Sequence, residues 1–284
     1  ITNVYLDGRR SEVRTEETNL GNLTADANLW YAQQYDSNAV VSLKNGGGIR
    51  AAIGDTYVPA GSVDYEPELI APPAIESVGK PEGGISQFDI EGSLRFNNGL
   101  TLVTVTAAEL YDLMEHAVAG TAEGATPGQF PQVAGMRFSF DPSRSARSTN
   151  TQNQGAETTG SRIRDLVVVD GEGSVTDRVV IGGELQGDPS RTFRLVTLGF
   201  LAGGGDDYPF SGLAGADMVD LTAEGGSDDP GRADFAGAGS EQDALAEYLR
   251  ARFADEGSAF DRAETPPEED MRIQNLNYRD SSLR

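Results

Sequence analysis

Residues 39–50 read AVVSLKNGGGIR, and the rest of the chain is best understood by working outward from this segment. Its first five residues are largely apolar and β-branched, which is typical of a short buried strand. The strand runs into three glycines, which let a ligand approach the main chain and leave backbone N–H groups available. Asn45 and Arg50 stand at the two ends of this turn. The segment predicts a strand that ends in a polar binding rim, although many glycine runs form simple tight turns.

Two other turns carry an aromatic residue. Phe96 lies in RFNN (95–98), and Phe200 begins FLAGGGDDY (200–208). Aromatic faces hold a nucleobase by stacking, and arginine guanidinium groups bind phosphate. Asp206 follows Phe200 by six residues, which allows a ring and a carboxylate to reach one ligand. Together these residues indicate a nucleotide site, with a core position for Phe96 as the ordinary alternative.

Two other kinds of chemistry are disfavoured. Segment 203–221 has the glycines and aspartates of calcium-binding repeats, but such architectures need several stacked copies and one imperfect copy occurs. His116 is the single histidine and follows Glu115 in a predicted helix. No Gly-x-Ser-x-Gly segment accompanies it, and one histidine cannot supply a two-metal phosphoesterase site. We therefore expect His116 to be structural.

The composition is that of an acidic, turn-rich protein. The 284 residues include 35 glycines and 13 prolines, which favours a mixed fold, and no cysteine for a disulfide or a thiolate site. The net charge of −23 disfavours nucleic acid and anionic membranes as partners, because long-range repulsion opposes both. No apolar run approaches the roughly 18 residues that a membrane span needs.

The basic residues are distributed unusually. Lys44 and Lys80 are the only lysines, and the others are arginines. An acid-rich, lysine-poor surface fits a halophilic, secreted protein, because salt screens its self-repulsion, with an ordinary acidic surface as the alternative. The chain begins at Ile1 without a methionine or signal peptide, so we expect a processed product or an excised fragment. The expected location is periplasmic or extracellular.

Three helices and a series of strands are predicted from periodicity and capping. A helix from about 20 to 34 begins with Thr18 or Asn19 as its cap. A second helix follows a capping box that starts at Thr106, and Ser240 caps a last helix. Apolar or alternating segments predict strands at 39–43, 100–105, 136–140, 163–169, 178–181, 193–198 and, in the tail, 271–276.

Three polar stretches lie inside this pattern, at about 55–84, 141–161 and 223–239, and are expected to be loops. They interrupt the order of strands without dividing it, and no internal repeat is visible. We therefore expect residues 1–284 to form one α+β domain, a mixed β-sheet with packed helices.

Five ordered motifs, which span residues 10–208, resemble the C-terminal domain of the 5'-nucleotidase family. They are RxxxR (10–14) with ETNLGNLxAD (17–26), NGGGIR (45–50), the segment around Phe96, GQFPQVxG (128–135) and FLAxGGDxY (200–208).

The resemblance implies an α+β domain that binds the nucleoside part of a nucleotide. Phe96 and Phe200 resemble the two rings that stack on the base. Asn45 resembles a residue that bonds the base, and Asp206 resembles the carboxylate that bonds ribose or base. The other substrate-binding candidates carried over are Gly128 and, as phosphate and ribose contacts, Arg10, Arg14 and Arg50.

In the family, a separate N-terminal metallophosphoesterase domain carries two divalent metal ions, often zinc or manganese. Rotation of the C-terminal domain brings the substrate to those ions. The resemblance therefore implies the nucleotide-recognition domain of a secreted phosphohydrolase, with a nucleotide and the N-terminal domain as partners. That N-terminal domain is absent from this chain, so we expect no catalytic residue, no cofactor and no activity in the chain alone.

Three residues differ from the family pattern in ways that affect the expected substrate. Glu16 stands where some members have arginine, which is expected to remove a phosphate contact and add a negative charge. Arg95 replaces a proline before Phe96, and Asp207 replaces a glycine after Asp206, which places two carboxylates together. Two alternatives stay open: a binding module without catalysis, and a domain of a phosphoesterase for non-nucleotide phosphates.

Overall fold

The computed structural model describes residues 1–61, 67–148, 158–213, 217–224 and 233–283. Within these ranges the chain forms two five-stranded mixed sheets and one two-stranded sheet, with helices packed against them. The α+β class predicted from the sequence is confirmed.

The helices of the described residues include three long ones and four short ones. They are α1 (Arg10–Val13), α2 (Asn19–Tyr35), α3 (Gln87–Ser93), α4 (Ala107–Ala117), α5 (Gly199–Ala202), α6 (Leu221–Glu224) and α7 (Glu241–Arg252).

The strands follow in chain order. They are β1 (Ala39–Asn45), β2 (Asp55–Tyr57), β3 (Glu68–Ile70), β4 (Leu100–Thr106), β5 (Pro131–Ala134), β6 (Met136–Phe140), β7 (Ile163–Val169), β8 (Val175–Ile181), β9 (Glu184–Leu185), β10 (Thr192–Leu198), β11 (Val219–Asp220) and β12 (Ile273–Asn275).

The first sheet has the order β11-β4-β10-β1-β5. Strand β1 pairs in parallel with β10, whereas β5 and β4 run antiparallel to their neighbours β1 and β10. Helix α2 packs on β1 and β5 and also on α7. Strand β1 is buried at every position except Val40, which is half-buried. Because such a strand is covered on both faces, its first five residues, AVVSL, read as a largely apolar run.

The second sheet has the order β12-β6-β7-β8-β9 and packs against helix α4. It shares one apolar core with the first sheet, in which Leu43 of β1 lies in the same cluster as Phe138 of β6. The ring centres of Phe130 and Phe140 lie 6.1 Å apart at this junction. Burial of such aromatic side chains dominates core energetics.

The Glu17 side chain anchors the start of the C-terminal tail strand. Strand β12 pairs in parallel with β6, and the Glu17 carboxylate accepts backbone N–H bonds from Met271, Arg272 and Ile273. These charge-assisted bonds satisfy the start of a strand that would otherwise leave three donors without partners. The tail strand predicted at 271–276 is thus present as 273–275.

The capping predictions are confirmed. Thr18 accepts from the Gly21 N–H at the start of α2, and Ser240 accepts from the Asp243 N–H at the start of α7. Thr106 opens α4 through a complete capping box. Each cap satisfies N–H groups that have no partner within their own helix.

The loop predictions are partly wrong. Stretch 55–84 contains the antiparallel pair β2–β3, because Asp55–Tyr57 and Glu68–Ile70 bond across it, and 62–66 lie outside the described residues. Helix α3 and strand β5 were not predicted. Of the other two loops, 149–157 and 225–232 also lie outside the described residues.

Candidate functional site

Strand register brings four turns to one edge of the first sheet. Because β1 and β10 are parallel, the turns that follow them leave the sheet at the same edge. Leu100 at the start of β4 pairs with Leu198 at the end of β10, and Pro131 at the start of β5 pairs with Asn45. The segments before β4 and β5 therefore arrive at this edge too. Ligands commonly bind at such strand ends.

These four turns, together with Arg14 at the end of α1, enclose a pocket of about 390 Å³. Seven of the eight candidates from the sequence line it, and they are joined by two glycines and one asparagine that were not candidates. The lining residues are Arg14, Asn45, Arg50, Phe96, Gly128, Phe200 and Asp206, together with Gly47, Gly48 and Asn98.

The glycine turn is tighter than the sequence suggested. The N–H groups of Gly46 and Gly47 donate to the carbonyls of Phe130 and Gly128 at 2.6 and 2.9 Å. A Cβ at Gly46 would lie 2.0 Å from the Val13 carbonyl oxygen. The expectation that this turn leaves its N–H groups available is therefore wrong for these two glycines. Their role is close backbone packing between α1 and the 126–130 segment.

The two aromatic side chains are exposed. Phe96 is 59% exposed and Phe200 is 47% exposed, so neither is a core residue. The Phe200 ring lies over Gly205, where a Cβ would come within 2.5 Å of the ring carbons. The Arg50 guanidinium carbon lies 5.5 Å from the centre of the Phe96 ring, which is cation–π distance. Both rings thus face a ligand-sized space with their positions fixed by a neighbour.

Asp206 sits in a strained turn. Its φ of 50° and that of Asp207 at 59° lie in the left-handed region, which aspartate tolerates better than most residues. Its carboxylate accepts a hydrogen bond from Asn45 Nδ2 at 2.6 Å. A Cβ at Gly128 would lie 3.4 Å from this carboxylate, so bare backbone forms that wall of the pocket.

His116 supports this turn from below. Its Nε2 donates to the Asp206 carbonyl at 2.9 Å, and Gln129 Nε2 donates to the His116 carbonyl. The Tyr208 hydroxyl donates to the Gln129 carbonyl at 2.7 Å. Burial lowers the pKa of His116, so the imidazole is neutral at neutral pH and its N–H lies on Nε2. The expected structural role therefore takes a definite form, which is to brace the Asp206 turn.

Arginine side chains make one end of the pocket cationic. Arg14 is 7% exposed, and its Nε has no hydrogen-bond partner among the described residues. Burial lowers the pKa of Arg14, and the nearby charges of Arg10 and Arg50 lower it further. A buried guanidinium with an unused donor and two cationic neighbours is a site that an anion would stabilise.

Arg10 lies outside the pocket lining. Its Nε donates to Thr126 Oγ1 at 3.1 Å, and Arg14 Nη1 donates to the carbonyl of the same residue at 3.4 Å. Arg10 contributes to the pocket through its charge rather than as part of the wall.

Asn98 is the lining residue with a polar side chain that sequence reasoning missed. It lies two positions after Phe96 in a turn where Asn97 has a φ of 44°. Two successive asparagines after an aromatic were the available signal, since asparagine tolerates such a turn and its amide is a recognition group.

The three departures lie outside the pocket lining. Burial, and then the hydrogen bond and charge of Glu12, raise the pKa of Glu16 to about 9. The raised pKa favours the protonated form of Glu16 over the negative charge expected there. Arg95 and Asp207 are exposed.

The described residues do not assemble a metal site. In the part of the chain that the structure describes, no three His, Cys, Asp or Glu side chains come together as a metal site would require. None of the helices in the described ranges combines the length and the apolar character of a membrane span.

Comparison with known proteins identifies the family. The profile described as 5'-nucleotidase, C-terminal domain, matches residues 68–212, about half of the chain. The chain belongs to this family. The resemblance drawn from the five motifs is confirmed.

This 5'-nucleotidase C-terminal domain has curated relatives that are much longer. It is 29% identical over 207 residues to the trifunctional nucleotide phosphoesterase protein YfkN of Bacillus subtilis, covering 73% of this chain and 11% of that protein. It is 27% identical over 212 residues to the human 5'-nucleotidase, covering 73% of this chain and 29% of that protein. The chain thus spans less than a third of either relative.

Solved structures share the fold. The 5'-nucleotidase precursor from Thermus thermophilus aligns with a TM-score of 0.62 and 27% identity, covering 97% of this chain and 39% of that one. The NAD nucleotidase of Haemophilus influenzae aligns with a TM-score of 0.58 at 14% identity, covering 99% of this chain and 37% of that one. The second likeness concerns the fold alone.

Proposed function

We propose that this chain is the nucleotide-recognition domain of a 5'-nucleotidase-like phosphohydrolase that acts on nucleoside 5'-phosphates. The observation that carries the proposal is the convergence of two exposed rings, a buried arginine and a carboxylate on one pocket of about 390 Å³. Pockets of that size suit small ligands, and this combination of groups matches the three parts of a nucleotide.

Each part of the ligand has a proposed partner. The base stacks between Phe96 and Phe200, which is worth about 1–3 kcal/mol per stacked base. The Asp206 carboxylate accepts hydrogen bonds from ribose hydroxyls, because an ionised carboxylate only accepts. Arg14 and Arg50 bind phosphate, with Arg10 adding to the positive potential.

Hydrolysis is proposed to occur outside this chain. The chain spans 39% of the length of the Thermus 5'-nucleotidase precursor, and its described residues do not fit a metal centre. We assign the two divalent ions to an N-terminal metallophosphoesterase domain that pairs with this one. The expected result is no phosphate release from AMP by the purified chain with zinc or manganese. Release above a buffer control would contradict this assignment.

The chain is proposed to be secreted and to form one domain. A snake venom 5'-nucleotidase from Crotalus adamanteus is 29% identical over 212 residues, and the lysine-poor acidic composition suits an extracellular setting. The proposal that residues 1–284 form a single domain is supported by an apolar cluster that draws on both large sheets.

The stacking assignment can be tested directly. We expect Phe200→Ala to weaken AMP binding at least about tenfold, because a stacked base loses its platform. The matched control is Phe88→Ala, since Phe88 is 81% exposed and lies outside the pocket lining. Isothermal titration calorimetry of both variants and the parent chain measures the difference. Equal affinities of Phe200→Ala and Phe88→Ala for AMP would show that the base does not stack on Phe200.

A further inference from the structure

An ion pair lies buried directly behind the pocket. Lys44 Nζ is 3.0 Å from Glu241 Oε2, and both side chains are 0% exposed. Lys44 immediately precedes Asn45 in β1, and Glu241 is the first residue of α7. Burying both charges costs more desolvation than a surface pair would. The helix N-terminus favours the carboxylate there, but it does not explain why the pair is placed at the pocket.

The second oxygen of the same carboxylate holds Asn98. Glu241 Oε1 accepts the Asn98 backbone N–H at 3.1 Å and Asn98 Nδ2 at 2.9 Å. The Glu241 N–H donates in return to the Asn98 carbonyl at 2.9 Å. An ionised carboxylate can only accept, so the amide nitrogen of Asn98 must face it. The amide oxygen, Oδ1, is therefore the atom that Asn98 can offer to the pocket.

Asn45 shows the same polarity across the pocket. Its Nδ2 is held by Asp206 Oδ2 at 2.6 Å, and its Oδ1 is buried with no partner among the described residues. Both lining asparagines thus have their donors bound by carboxylates. Asn98 Oδ1 and the Asp206 carboxylate are the side-chain acceptors that these lining residues can offer to a ligand, whereas the cationic donors belong to Arg14 and Arg50.

We propose that Lys44 and Glu241 are positioning residues that fix Asn98 as a hydrogen-bond acceptor, and that the pocket consequently selects nucleobases with an exocyclic amino group on the edge that Asn98 meets. The ligand class is 6-aminopurine or 4-aminopyrimidine nucleotides. An oxo group in the same place would set two acceptors against each other and leave both unpaired. This inference rests on the proposed function, since it requires a base between the two rings.

A purely structural role for the ion pair makes a different prediction. A brace that only fastens α7 to β1 would affect all nucleosides equally when it is weakened. A brace that sets amide polarity changes the ratio between amino and oxo ligands. Without the carboxylate, the Asn98 amide is free to rotate and to present its NH₂ group instead.

The experiment measures Kd for adenosine, inosine and purine riboside, which carry an amino group, an oxo group and a hydrogen at the same ring carbon. For the unmodified chain we expect adenosine to bind at least about tenfold more tightly than inosine, with purine riboside also weaker than adenosine. Glu241→Gln should bring the inosine-to-adenosine ratio of Kd to one or below. Asn98→Ala, which removes the half-buried amide alone, should bring it to about one, and it serves if Glu241→Gln does not fold.

The control is Asp26→Asn, which breaks the Asp26–Arg272 ion pair away from the pocket and should leave the ratio unchanged. An unmodified chain that binds adenosine and inosine equally would overturn the inference while leaving nucleotide recognition intact. A ratio that stays at tenfold in both Glu241→Gln and Asn98→Ala would also overturn it. A chain that binds no nucleoside and no AMP would overturn the proposed function together with this inference.

Discussion

Carboxyl groups lie both in the pocket region and in the seam where the C-terminal tail docks, but the two regions give these groups different neighbours. In the pocket region, Glu241 faces Lys44, and Asp206 accepts from Asn45. In the tail seam, defined here by Glu16, Glu264 and Asp270, burial and neighbouring acids push each pKa upward. The tail seam thus surrounds its acids with other acids, which raises their pKa values, whereas the pocket region gives its carboxyl groups an ammonium or an amide partner.

The cause of this difference lies in the partners that each carboxyl meets. Burial, followed by the charge of Asp7 and then Asp270, raises the pKa of Glu264 to about 8. Burial, followed by the charge of Glu17, raises the pKa of Asp270 to about 7. Neighbouring acids favour the protonated form of a carboxyl group, whereas a neighbouring ammonium group favours the ionised form.

Breaking the pocket pair should produce the largest change. We expect Lys44→Met to lower the free energy of unfolding by about 3–5 kcal/mol, because Glu241 is left buried without its countercharge. Urea denaturation measures this, and one coincident transition by two probes would also support a single domain. The comparison variant is Arg144→Met, whose ion pair with Asp141 is about half exposed at the arginine and should cost about 1 kcal/mol or less. Equal losses would mean that the pocket pair has no special weight.

Raising the pH should weaken the tail seam more than the pocket. A carboxyl whose pKa is raised in the folded state stabilises the fold less as pH rises above its unfolded value, and the loss stops above its folded pKa. His116, whose pKa is lowered, has the opposite slope, but only below its ordinary value of 6.5. The melting temperature should therefore fall by several degrees between pH 6.5 and 9, the pKa reached by Glu16.

The seam prediction has an internal control. The Asp270→Asn variant has no carboxyl proton to lose at this position, so its melting temperature should fall less as the pH rises. Asp141→Asn should leave it unchanged, since hydrogen bonds from Ser143 and Arg144 lower the pKa of Asp141 and place its contribution at acid pH. Thermal melts at fixed ionic strength test both variants. A melting temperature that is flat or rising from pH 6.5 to 9 would show that these acids are not protonated in the folded chain.

Salt should have the smallest effect. With a net charge of −23, screening of self-repulsion should raise the melting temperature in molar sodium chloride relative to dilute buffer. Exposed ion pairs weaken under the same conditions, so the rise is modest. The buried Lys44–Glu241 pair should be insensitive, and Lys44→Met should show the same salt increment as the unmodified chain. A falling melting temperature would count against a salt-adapted surface.

Sequence reasoning reached most of the strands of the two large sheets and most of the pocket's residues. Strands such as β1 and β10 were predictable because burial on both faces leaves an apolar run, and the caps at Thr18, Thr106 and Ser240 follow local rules. Helix α3 was missed although Ser86 starts a capping box, because the helix is short.

The rest depends on contacts between distant segments. Nothing near Asn98 in the sequence indicates that a carboxylate 143 positions later will orient its amide. The raised pKa of Glu16 likewise depends first on its burial and in part on the charges of Asp270 and Glu264, which come from the far end of the chain. Pairings of this kind are set by tertiary packing, which local patterns do not encode.

The meeting of four turns at one sheet edge has a consequence for how such a domain diversifies. Each wall of the cleft belongs to a different connection, while the ladder of strands beneath is shared and carries none of the ligand-facing groups except Asn45. A change of length or residue in one connection alters a single wall and spares the hydrogen-bonded platform. Substitutions in single connections can therefore adapt the pocket to new small molecules while the sheet beneath keeps its structure.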